Sequence, residues 1–184
     1  MTHATGFTLR GAEPRDTDAI VQLIRELADF EQLSHLLQVT PEKLEPQLFG
    51  DRPAAEAIVA ELTGVNIDGV GDIGVGGDVG GAIVGFALFF TSFSTFLARP
   101  GLYLEDLYVM PAHRGAGIGK ALLTRLGALA VERQCGRFEW SVLDWNDDAI
   151  RFYEKMGATV MPEWHSCRVA GEALQRFDPA RSAR

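Results

Sequence analysis

Ile20, Leu23, Ile24, Leu27 and Phe30 recur at helical spacing and predict a helix over residues 17–30, with Asp16 placed to cap it. Residues 7–10 read as a first strand before it. Thr40 and Pro41 suit the cap and first position of a second helix running to about residue 49. Apolar runs at 56–62 and 82–91 read as strands, and residues 102–110 as a fourth. A helical stretch follows at 121–133, then a fifth strand at 137–143. Residues 147–156 predict a helix ended by Gly157 at its C′ position. Residues 159–161 and 164–169 read as final strand pieces. This order predicts an α/β fold: a mixed sheet of about six to seven strands with helices on both faces.

Composition narrows the classes. A chain of 184 residues with 47% hydrophobic residues predicts one domain with a full core. No apolar run reaches membrane-span length, and the N-terminus reads without a charged-then-apolar signal segment. Cys135 and Cys167 make no disulfide framework in a chain this size, which predicts free thiols and a cytoplasmic protein. His3, His35, His113 and His165 are scattered without metal-ligand spacing, so no metal is expected. A net charge of −8 argues against nucleic acid and is compatible with a cationic substrate. A glycine-rich stretch, 64–81, interrupts the strand pattern. Its weak repeat around Asp68 and Asp72 has too few acidic residues for a calcium cage and reads as a hairpin tip.

The run His113-Arg114-Gly115-Ala116-Gly117-Ile118-Gly119-Lys120 stands between the fourth strand and a helix. Strand, glycine turn and helix together make an anion site. The first helical N–H groups have no helical partner, and the helix dipole is positive there. Arg114 and Lys120 add charge, and the glycines let backbone approach a phosphate closely. A dinucleotide loop would follow the first strand and carry an acidic residue about twenty positions on; here that place falls among Cys135 and Gly136. A Walker-type loop needs Ser or Thr after its lysine, and Lys120 is followed by Ala121. A third pattern, R-x-x-G-x-G, is met by Arg114, Gly117 and Gly119.

That third pattern resembles the acetyl-CoA loop of the GNAT superfamily of N-acetyltransferases. Leu143-Asp144-Trp145-Asn146, Ala149-Ile150, Phe152-Tyr153 and Gly157-Ala158 resemble the segment that follows the loop in that superfamily. Tyr103-Leu104-Glu105-Asp106-Leu107-Tyr108-Val109-Met110-Pro111, with the blocks at 24–31 and 85–90, resembles the diamine (spermidine/spermine) acetyltransferase family. Phe30-Glu31-Gln32-Leu33-Ser34 and Val142 to Asn146 lean toward its thialysine N-epsilon-acetyltransferase branch. The resemblance covers residues 7–177. It implies a sheet splayed between its fourth and fifth strands, acetyl-CoA as cosubstrate, a small-molecule amine acceptor and a homodimer. Departures occur at 64–81 and at Glu163-Trp164-His165-Ser166-Cys167-Arg168, where the family has an aromatic, apolar strand.

Acetyl transfer needs a neutral amine, a held thioester carbonyl and a proton for the leaving thiolate. Tyr153 reads as a core tyrosine or as that proton donor; the resemblance implies the donor. Glu105, a carboxylate inside an apolar strand, reads as a sheet-edge charge or as the base for the amine. The resemblance implies the base, facing the substrate. Strict alternation puts Asp106 on the opposite face, away from Glu105 and satisfied by structural hydrogen bonds. For the cofactor the resemblance implies backbone groups of Leu107, Tyr108 and Val109, the loop from Arg114 through Gly115, Ala116, Gly117, Ile118 and Gly119 to Lys120, and Asn146 and Ala149 from the other side. Asn146 reads equally as a helix cap. For the acceptor it implies Phe30, Glu31 and Glu105, with Glu139, Trp140, Ser141 and Glu163 as further lining. The alternatives are the same chemistry on an amino acid, aminoglycoside or protein lysine, or a non-catalytic acyl-CoA sensor.

Overall fold

The computed structural model describes residues 6–63 and 81–179. The glycine-rich expectation over 64–81 thus falls, but for Gly81, outside the described residues. The described chain forms two compact units, the first ending at Ser141 and the second starting at Val142.

The first unit is built on one sheet of five strands in the order β1 (Gly6–Gly11), β2 (Glu56–Thr63), β3 (Ile83–Ser94), β4 (Arg99–Val109) and β5 (Phe138–Trp140). The first four are antiparallel neighbours, and β5 runs parallel to β4. A parallel neighbour requires a crossover, supplied by α3 (Ile118–Glu132). Strand β3 is central and buried without a break from Val84 to Phe89, as expected of a strand covered on both faces. One face carries Phe86, Leu88 and Tyr108 under α1 (Thr17–Phe30) and α2 (Pro41–Phe49), where Ile20, Val21, Leu23, Leu44 and Leu48 close the core. α3 packs on β3 and β4 from its own side with Ile118, Leu122, Leu123 and Leu126 buried. Its far end is clamped: Arg133 donates two 2.6 Å bonds to the Glu56 carboxylate, and its guanidinium lies 5.8 Å from the Phe89 ring centroid.

The helices begin and end close to their predicted bounds, but the Asp16 cap does not form. Asp16 is 4% exposed, and its carboxylate accepts from both terminal nitrogens of Arg10 (2.6 and 2.8 Å) and from the Glu13 amide (2.8 Å). Arg10 Nε also donates to Glu61 at 2.5 Å. A buried carboxylate gains more from a bidentate guanidinium than from one amide. Asp16 therefore ties β1 and β2 to the start of α1.

Among the described residues the strands number five, against the six to seven expected. The fifth strand keeps only Phe138–Trp140 of the predicted 137–143, because its pairing with β4 stops at Leu104. The predicted pieces at 159–161 and 164–169 form no strand. A strand needs a partner edge, and alternation alone does not provide one. The second unit holds α4 (Asp147–Lys155) and a short α5 (Glu172–Gln175). Gly157, at φ 94, closes α4, with the Ala158 amide donating to the Tyr153 carbonyl at 3.0 Å.

The Arg10–Asp16 pair sets an acid limit on stability. The Arg10 guanidinium holds the Asp16 carboxyl below its ordinary value. Its contribution is present above the unfolded carboxyl pKa, about 3.9, and is lost as pH falls through the lower folded value. Arg10→Met should cost about 3 kcal/mol at pH 7, since it strands a buried charge. It should also flatten the acid side of the stability curve. Urea unfolding of both proteins from pH 7 to pH 2 reads both effects.

Candidate active site

The site residues fall into a set on the sheet unit and a set on the second unit. On the sheet, the key feature is a bulge in β4. Register partners share a face. Asp106 lies opposite Leu88 and therefore on the α1 and α2 face with Tyr108. Phe90, two residues beyond Leu88, stacks on Tyr103 at 5.1 Å, so Tyr103 lies on that face too. Asp106 lies three positions after Tyr103, an odd spacing for which strict alternation forbids a shared face. The register shift between Leu88 and Phe89 resolves it: Leu104 pairs with Phe89, Asp106 pairs with Leu88, and Glu105 is the extra residue.

The bulge breaks the strict alternation from which the two carboxylates were expected to point to opposite faces. Glu105 is exposed, and its charge is felt at Asp106. Asp106 makes no hydrogen bond or ion pair among the described residues, contrary to the structural role expected of it. Burial pushes its carboxyl up to about 6, with the charges of Glu105 and Glu31 adding to the rise. Glu31, the residue after α1, is itself raised by burial. The charges of Glu105 and Glu31 thus both bear on Asp106.

The other acceptor residues are placed less uniformly. Phe30 ends α1, 41% exposed. Ser141 Oγ meets the Tyr103 hydroxyl at 2.9 Å. Glu139 shares the Tyr103 face by register, but its carboxylate is taken by Arg137 Nε at 2.7 Å. Trp140 packs against Phe138, ring centroids 4.8 Å apart. Glu163 sits in an exposed turn of the second unit. Asp106 and Tyr103 are the face residues that sequence reasoning passed over as site candidates; only the bulge reveals them, and alternation hides it.

The loop keeps the expected geometry. Gly115 and Gly117 have φ 79 and 86, and a Cβ at either would meet no atom within 4 Å. Gly117 is the residue before α3. Open space therefore lies before the first amides of α3, those of Ile118, Gly119 and Lys120, which helix geometry leaves unpaired. This cradle fits a pyrophosphate. Beyond Leu104 the β4 edge toward β5 carries no ladder in the described residues, and Leu107, Tyr108 and Val109 lie along that stretch. The Val109 carbonyl, however, accepts from Arg114 Nε at 3.0 Å.

In the second unit Asn146 caps α4: its Oδ1 accepts from the Ala149 amide at 3.2 Å. That bond engages two of the groups expected at the cofactor, while Asn146 keeps its side-chain NH₂. Tyr153 is half-buried, its ring 5.3 Å from that of Phe152. A cavity of about 330 Å³ also opens beside α1, lined by Gln22, Leu23, Glu26, Val84, Met110 and His113 among others. It contains neither Glu105 nor Asp106, and we assign it no chemistry.

Comparison with known proteins agrees with this geometry. Residues 30–158 match the model of the Acetyltransferase (GNAT) family. The chain belongs to the GNAT acetyltransferase family. This acetyltransferase is 37% identical over 172 residues to a thialysine N-epsilon-acetyltransferase of Mus musculus, covering 92% of this chain and 95% of that one. It is 36% identical over 206 residues to an L-ornithine N5-acetyltransferase of Arabidopsis thaliana, covering 96% and 90%. Among solved structures, an integron cassette protein from the mobile metagenome of V. cholerae shares the fold, with TM-score 0.72, 21% identity and coverage of 94% and 98%. The acetyltransferase is thus an acetyl-transferring GNAT enzyme related to thialysine and ornithine N-acetyltransferases.

Two outcomes follow from the site. Acetyl-CoA should raise Tm; Gly117→Glu should abolish that rise, whereas Gly117→Ala should keep most of it while costing about 1 kcal/mol for its positive φ. Thermal melts with and without ligand separate charge from strain. Asp106, with its folded pKa raised to about 6, binds its proton more tightly folded than unfolded. Stability should fall as pH rises from about 4 through about 6. Asp106→Asn should remove that fall and raise Tm at pH 8, by roughly 2–4 °C per kcal/mol released, with little effect at pH 4.

Proposed function

We propose that the protein is an acetyl-CoA-dependent N-acetyltransferase whose acceptor is a small amine with two positive charges, a diamine or a lysine-like amino acid. The observation that carries this reading is the Asp106 carboxyl on the α1 and α2 face, raised and unpaired among the described residues, with the charges of Glu105 and Glu31 bearing on it. A charged acceptor would supply the cation this group lacks, and its binding would pull the Asp106 carboxyl back down. The names of the two relatives support it, since thialysine and ornithine each carry a second amine. The net charge of −8 also favours a cationic acceptor.

In this reading the loop amides of Ile118, Gly119 and Lys120, with the Lys120 charge, hold the pyrophosphate. The free edge of β4 at Leu107 and Tyr108 holds the extended arm. Bound acetyl-CoA supplies an activated acyl thioester. Glu105 takes the proton from the amine, directly or through water. Asp106 and Glu31 hold the distal ammonium. Tyr153 Oη, a phenol O–H donor, gives its proton to the departing sulfur. The Asn146 NH₂ is free to bind the arm while its oxygen caps α4. The chain acts as one GNAT domain, working as a cytoplasmic homodimer as the resemblance implies.

A panel of amines tested by CoA release decides the reading. Diamines and ornithine-like acceptors should outpace monoamines of equal length. Tyr153→Phe should lower kcat on the order of 10²-fold with acetyl-CoA affinity nearly kept. Equal rates for monoamines and diamines would sink the two-charge acceptor. No acetylation of any amine, with acetyl-CoA still bound, would turn the protein into an acyl-CoA sensor.

A further inference from the structure

Arg114 opens the glycine loop, and its charge reads from sequence as one more attraction for a phosphate. The structure sends its side chain the other way. The guanidinium carbon lies 5.2 Å from the Phe30 ring centroid and 5.4 Å from that of Tyr108. Its Nε donates to the Val109 carbonyl at 3.0 Å. Phe30 is the last residue of α1, and Tyr108 and Val109 are the last two of β4. One side chain from the cofactor loop thus reaches both elements that form the acidic face.

The chemistry suits arginine alone. A guanidinium is planar and weakly hydrated, so it can lie over aromatic faces while its in-plane N–H still donates. An ammonium has no plane to stack. The Tyr108 ring is held in turn, 5% exposed, with its hydroxyl donating to Glu26 Oε2 of α1 at 3.4 Å. Burial and Glu26 push that hydroxyl's pKa up, and Arg114 pulls against them. Glu31 follows Phe30 directly, so whatever fixes Phe30 against β4 also fixes the distance from Glu31 to Asp106.

We propose that Arg114 is a positioning residue for the amine acceptor rather than a ligand of the pyrophosphate. By stacking on Phe30 and Tyr108 it holds the end of α1 against β4 and sets the spacing of Glu31 and Asp106. Its guanidinium also covers the two ring faces on which an acceptor's cation could otherwise rest, which directs that cation to the carboxylates. Anion binding stays with the loop amides and Lys120. This inference rests on the acetyltransferase reading above and assigns the acceptor side of that same site.

Arg114→Lys keeps the charge and removes the stack. The wild type and Arg114→Lys, Phe30→Leu and the double variant are compared with acetyl-CoA and with 1,3-diaminopropane and ornithine as acceptors. Arg114→Lys should leave the acetyl-CoA dissociation constant within about two-fold by calorimetry. It should raise acceptor KM on the order of tenfold with kcat little changed, the size expected for loss of two cation–π contacts. Phe30→Leu should raise KM similarly, and the double variant no further, because both changes break the same contact. A tenfold loss of acetyl-CoA affinity with acceptor KM unchanged overturns the proposal, as do additive effects of the two substitutions. Should no amine be acetylated, the functional reading fails by itself. The inference is then decided by urea unfolding and calorimetry. Non-additive stability losses with acetyl-CoA binding intact support the stack, and additive losses with weakened binding refute it.

Discussion

The parting of β4 from β5 after Leu104 is the constraint on which the rest of the site depends. A parallel pair that continued past Leu104 would satisfy the outer edge of β4 with its neighbour's amides and carbonyls, and no extended ligand could add there. The bulge at Glu105 falls at the point where the pairing ends. Bulges bend a strand and sharpen its twist, so one extra residue accounts both for the free edge and for the side chains presented beside it. The same residue changes which face Asp106 occupies relative to Tyr103. Edge, bend and acidic face are thus three results of one insertion in the ladder.

Around this opening the molecule places charge against its own stability. Asp106 is raised by burial and by the carboxylates near it, and no cation of the described residues answers it. Arg114 and Arg137 are engaged elsewhere: Arg114 lies over two rings, and Arg137 pairs with Glu139. By contrast Asp16, also buried, is answered by Arg10. The two aspartates show how the same side chain serves opposite ends. One fastens β1 to the start of α1, and the other leaves a field for something that is not part of the chain.

Much of the architecture was legible in the pattern of residues. The α1 stripe of Ile20, Leu23 and Leu27, the Pro41 start of α2, the glycine loop between strand and helix, and the Gly157 stop all follow from local rules, and all stand where those rules put them. What stayed hidden depends on partners distant in sequence. Asp16 looks like a cap until Arg10 folds back on it. Residues 164–169 read as a strand piece yet find no edge to pair with among the described residues. The period-two rule assigned Asp106 the wrong partners because a bulge leaves no local mark in the sequence. Arg114 was read by charge alone, and its rings come from residues 84 and 6 positions away in the chain.

Helix α3 has two unlike ends. Its last turn runs into Arg133, which is fixed to Glu56 of β2 by two short bonds and lies over Phe89 of β3. Its first turn is entered from Gly117, in a conformation that costs glycine little and that no side chain crowds. Such a helix behaves as a beam built into a wall at one end and propped at the other. The reach of the propped end is limited by the stiffness of fifteen residues of hydrogen-bonded backbone. The amides that open α3 can therefore settle onto an anion by small adjustments of the loop, while their bearing on the β4 edge is held from the far end of the helix.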